Sequence, residues 1–136
     1  MRIVLPLFVA LSAATSAYAG SDPYEVKLTH PICVETAIAE ITARLGSEQN
    51  GKIVSEDPKK VGSAVRYANG VLGVSYDYVA ALSKYARVGD KVGLCLVAHY
   101  VHCPKGDDRG KTYRATDRRT GKSWELGDSE HICGGA

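Results

Sequence analysis

Four cysteines constrain this chain more than any other feature: Cys33, Cys95, Cys103 and Cys133, spread over 136 residues. An even number of well-separated cysteines becomes a disulfide framework in an exported protein and a set of thiolates in a cytosolic one. The N-terminus decides between the two. "MRIVLPLFVALSAATSAYAG" carries one positive charge at Arg2, an apolar run from Ile3 to Leu11 and small residues ending in Ala17-Tyr18-Ala19. This is the pattern of a secretory signal cleaved after Ala19. Gly20 follows, where a lipid-anchored protein of the bacterial kind would carry cysteine. The apolar run is well short of the roughly 20 residues that cross a bilayer, and no later segment is long enough to do so. The expectation is a signal peptide over residues 1–19 and one mature domain over 20–136, exported to periplasm or medium, with no transmembrane segment.

Four exported cysteines allow three pairings. The favoured one joins Cys33 to Cys95 and Cys103 to Cys133, the second bridge anchoring a C-terminal stretch, "GDSEHICGGA", with too few apolar residues to hold itself by burial. A metal reading uses the same cysteines with His30, His99, His102 and His131. Zinc sites show tight C-x-x-C or H-x-x-x-H pairs, whereas here the ligands are scattered and depend on thiolates that export would oxidise. No metal and no cofactor is therefore assigned.

Along the chain, Val34, Ala37, Ile38, Ile41 and Leu45 recur at helical spacing, which predicts an amphipathic helix over residues 33–45 ended by Gly46. "SEQNGKIVSEDPKK" is polar and reads as a loop. Asn69-Gly70 separates two alternating runs and predicts a hairpin with Tyr67 opposite Leu72 and Val65 opposite Val74. Asp77 is placed to cap a second, short helix that stops at Gly89. "DKVGLCLVAHYV" is apolar on both faces and predicts a central strand, and "KTYRATDRRTGKSWEL" a second hairpin around Thr120-Gly121. Trp124 is read as core. The sum is an α+β fold: about five antiparallel strands in a sheet or small barrel, one longer N-terminal helix and one short helix, stapled by disulfides.

Motifs that would name a reaction fail on inspection. A thiol redox centre needs vicinal cysteines, and seven residues separate the closest pair, Cys95 and Cys103. "TGKS" (Thr120 to Ser123) has Thr116 where a phosphate-binding loop needs its first glycine. "GDDRGKTYRATD" lacks the acidic alternation of a calcium loop. Asp128, Ser129 and His131 are close in sequence, but no G-x-S-x-G elbow supports a nucleophilic serine.

Charge is the remaining signal. Seven basic residues between Lys105 and Lys122 face three aspartates, a local net charge of +4 in a chain whose overall formal charge is +2. On an alternating strand Arg114 and Arg118 share a face with Thr112 and Thr116, a pattern suited to phosphate, carboxylate or sulfate. Arg109, Lys111, Arg114, Arg118, Arg119 and Lys122 are the candidate anion-binding residues, and no catalytic residue is assigned. These features point to an exported, non-enzymatic binding module that meets an anionic glycan, a lipid head group or a protein, and not nucleic acid. The alternative is a small exported hydrolase centred on His131 or on Cys33.

Overall fold

The computed structural model describes residues 23–135, so the signal-peptide assignment falls outside the described residues. Its strands are β1 (Glu25–Ala43), β2 (Gly46–Gln49), β3 (Lys52–Ser55), β4 (Ser63–Tyr67), β5 (Leu72–Val74), β6 (Lys91–Tyr100), β7 (Lys111–Asp117) and β8 (Ser123–Gly127). A four-residue helix, α1 (Pro58–Val61), and a π-helical turn, Ala81–Tyr85, are the helical elements among the described residues. Six strands close into an antiparallel barrel in the order β1-β4-β5-β8-β7-β6, and β2 and β3 form a separate ribbon. Closure between β5 and β8 rests on the pair Val74 and Gly127. The fold is thus nearly all-β, and the α+β expectation is overturned.

The reason lies in β1. Residues 33–45 are not a helix: most belong to this 19-residue strand, which pairs with β6 up to Ala37 and with β4 from Ile38 onward. Ile32, Val34, Thr36 and Ile38 alternate as a strand should, but a β-bulge between Ile38 and Glu40 advances the phase by one residue. Ile38 and Ala43, an odd number of residues apart, therefore both face the core. A bulge inserted in a period of two gives the spacing of four, three and four from Val34 to Ile38, Ile41 and Leu45, which imitates a helix. The β-branched content of the segment was the opposing signal. Gly46, expected as a helix stop, opens β2 instead.

The ribbon of β2 and β3 occupies the segment read as a loop. Asn50 and Gly51 both have positive φ (52° and 76°), a mirror-image turn that joins Gln49 directly to Lys52. The Asn69-Gly70 hairpin forms as expected, with a different register: Arg66 pairs with Leu72 and Val65 with Gly73. Here only Gly70 is left-handed (φ 88°) and its N–H bonds to Tyr67 O, so the loop has three residues, not two. One residue of register exchanges the faces of β5. Leu72 turns outward beside Arg66, and Gly73 turns inward, where a Cβ would collide with Leu126 and Val65.

Ile38, Val65, Tyr67, Val92, Leu94, Ala115, Trp124 and Leu126 fill the barrel, and Leu82 from the π-helical turn joins them fully buried. Trp124 is core, as read, and its indole N–H donates to the Tyr67 hydroxyl at 2.9 Å. Burial pushes the Tyr67 phenol up to about 12. Asp77 does not cap the short helical turn. The Val79 N–H is taken by Ser63 Oγ at 2.9 Å, a buried hydroxyl that also meets Ser83 Oγ.

Both disulfides form with the favoured pairing, Cys33 to Cys95 and Cys103 to Cys133. Cys33 and Cys95 are direct cross-strand partners on β1 and β6, so the first bridge ties strand to strand rather than helix to strand. These bridges fit a compartment that oxidises thiols. Among the described residues no helix is long and apolar enough to cross a membrane.

Candidate anion-facing surface

The six candidate basic residues sit on β7, on the β7–β8 turn and on the loop before β7, and the barrel brings carboxylates to five of them. Arg114 on the outer face of β7 donates from Nε to Glu125 of β8 at 2.7 Å, its direct cross-strand partner. Arg118, just past β7, crosses β6 to reach Glu35 of β1. It lies flat over Gly93, where any Cβ would meet its guanidinium, and the Glu35 carboxyl is lowered by this bond. The sequence pattern placed Arg114 and Arg118 on one face, whereas here they grip carboxylates on opposite sides of β7.

Arg119 makes a two-pronged pair with Asp90, both bonds at 2.8 Å, and donates to Tyr85 O at 2.7 Å. The Arg119 guanidinium holds the Asp90 carboxyl down at about 2, assisted by the Arg87 N–H. Arg109 pairs with Asp107 in the same two-pronged way, at 2.9 and 2.8 Å, and also donates to Gly135 O. Asp107 in turn accepts the Gly134 N–H, so the disulfide-anchored tail completes this clasp. The Asp107 carboxyl lies well below the usual range, with Arg109 the largest cause. Lys111 lies between Asp108 and Asp128, at 3.9 and 3.8 Å.

Lys122 differs from the other five. Its ammonium meets no carboxylate among the described residues and sits 4.5 Å from the centre of the Tyr85 ring. The turn that presents it is organised by Asp117, a fully buried carboxylate accepting from the Arg119 and Thr120 N–H groups and from Thr120 Oγ1. This turn lies against the segment before β6, because Arg118 N donates to Lys91 O and Arg119 grips Asp90. Lys84 shares the Tyr85 ring with Lys122, and Arg87 and Lys91 lie in the same segment as Lys84, all exposed and none ion-paired among the described residues. Sequence reasoning missed these three because their contribution needs the fold to bring residues 84–91 beside 118–122.

The hydrolase alternative loses its Cys33 centre, since that sulfur is bonded to Cys95 and has no thiolate to offer. The Ser129 hydroxyl donates to the main-chain carbonyl of His131 rather than to its ring. Among the described residues no group of three or more histidine, cysteine, aspartate or glutamate side chains is arranged to hold a metal ion. Comparison with protein-family models, with curated proteins and with solved structures finds no match for the chain.

Proposed function

We propose that this protein is an exported, non-enzymatic binding module, in periplasm or medium, that meets an anionic partner with its positive surface. The observation that carries the reading is the group of cations with no carboxylate partner around the β7–β8 turn, led by Lys122. Exposed charges of one sign, held on a rigid frame, steer and retain an oppositely charged partner. Arg118 and Arg119 border this group, but each is neutralised by a carboxylate, Glu35 and Asp90. Arg109, Lys111 and Arg114 stand farther into balanced surroundings: the shallow cleft beside Arg114 also contains Glu25, Lys27 and Glu125.

The test is retention of the full chain on an anionic polysaccharide resin and on anionic vesicles across a salt series. Elution that moves with ionic strength supports the reading. Flow-through at low salt on both matrices contradicts it.

A further inference from the structure

The segment that carries Lys84, Arg87 and Lys91 also presents two exposed apolar side chains. Tyr85 is 42% exposed and Val88 64%. Val88 occupies the corner of a tight turn, Arg87-Val88-Gly89-Asp90, closed by the Asp90 N–H on Arg87 O at 3.1 Å, with Gly89 left-handed at φ 92°. A turn of this kind needs glycine at its third position and leaves the second side chain free to project. The turn is held from behind: the Gly89 N–H donates to Ile38 O at 2.8 Å, and Asp90 takes both the Arg87 N–H and the Arg119 guanidinium. The Lys84 and Lys122 ammonium groups flank the Tyr85 ring at 5.1 and 4.5 Å. The carboxylates nearby are committed to the protein itself, Asp90 to Arg119, Asp117 to its own turn and Glu35 to Arg118.

Resting on the anion-binding reading, the geometry points to an anionic lipid surface as the partner, with Val88 and Tyr85 entering the headgroup region and Lys84, Arg87, Lys91 and Lys122 meeting lipid phosphates. The mixture of residue types selects a bilayer over a glycan. A polysaccharide offers charge and hydroxyls to lysines, but no apolar layer to accept an isolated valine at a turn corner. A bilayer interface offers both, and aromatic side chains such as tyrosine favour that depth. Each basic residue near such a surface adds to the attraction, which falls off within a Debye length, so four clustered cations act together at low salt. The contact is peripheral and reversible, because one valine and one tyrosine bury far too little apolar area to insert permanently.

The experiment is co-sedimentation of the full chain with vesicles of phosphatidylcholine, alone or with phosphatidylglycerol, beside retention on a sulfated polysaccharide. The expected result is binding to the anionic vesicles only, reduced about tenfold or more in Lys84→Glu/Lys122→Glu. Val88→Ser, an uncharged change at an exposed corner, lowers vesicle binding severalfold with polysaccharide retention unchanged. If the protein binds polysaccharide and Val88→Ser leaves vesicle binding intact, the lipid assignment is overturned and the anion-binding reading stands. If neither matrix retains the protein, both fall. Thermal melting of each variant, expected to match the parent, excludes unfolding as the cause.

Discussion

Five of the basic residues between 105 and 122 are clasped and their neighbours are not, and the two groups have different work to do. Arg109, Lys111, Arg114, Arg118 and Arg119 bind carboxylates across strands and loops, so their charge is spent on the frame. Lys84, Arg87, Lys91 and Lys122 have no ion pair among the described residues, and their charge is open to solvent and partner. A positive run in sequence thus measures how many cations a segment carries, and only the fold shows how many remain uncompensated.

The clasped group depends most on its covalent support. Arg109 is clasped partly by the tail that Cys133 holds in place. Replacing Cys103 and Cys133 by serine should lower stability by about 3 to 4 kcal/mol in chemical denaturation, through the lost 30-residue crosslink. Anion binding by the lysine-rich end should persist in this variant. Its loss would mean that the tail belongs to the binding surface.

Asp117→Ala should follow in size, at about 2 to 4 kcal/mol, because it removes a buried acceptor of three hydrogen bonds and unfastens the turn that presents Lys122. Denaturant melts give the stability, and vesicle binding should fall with it. A melt that matches the parent would mean that the turn is held by something other than this carboxylate.

Glu35→Gln unclasps Arg118 without unfastening the barrel. It should raise affinity for anionic vesicles severalfold at low salt, on the scale of one added basic residue near a surface. Gly93→Ala should act in the same direction by pushing the guanidinium off its partner. Weaker binding in either variant would show that the clasped arginine is itself the contact.

Titration gives the smallest effect. Asp90 ionises at about 2 in the folded chain against an ordinary value near 4, so its contribution is present above the ordinary value and is lost as pH falls through about 2. Melting temperature should decline over that interval, and Asp90→Asn should flatten that part of the decline. At the other extreme the raised Tyr67 phenol predicts stability lost as pH climbs from about 10 to about 12, with Tyr67→Phe insensitive there.

Local chemistry was legible in the sequence wherever one short stretch determines the outcome. The hairpins at Asn69-Gly70 and Thr120-Gly121, the central strand β6 and Trp124 in the core all follow from alternation and turn residues. The Cys103–Cys133 bridge followed from the tail's lack of apolar residues, whereas the Cys33–Cys95 bridge was expected to tie a helix to the central strand and in fact joins two strands. What failed needed information from elsewhere in the chain. The bulge at Ile38 and Glu40 made a strand imitate a helix, and Asn50-Gly51 lay in a run too polar to look like strands. The clasps of Arg118 and Arg119 were illegible for the same reason: Glu35 is 83 residues from Arg118 and Asp90 is 29 from Arg119. No local window contains both partners of these two pairs, whereas Arg109 has its partner Asp107 only two residues away.

The division between clasped and open charge is tested most directly by following backbone amide resonances of the full chain while an anionic short-chain phospholipid is titrated below its micelle concentration. The account predicts shifts concentrated at residues 84–91 and 118–122, with the amides of Thr112 to Ala115 and of Trp124 and Glu125 unmoved. Shifts centred on Arg114 and its β7–β8 face, with residues 84–91 silent, would contradict it.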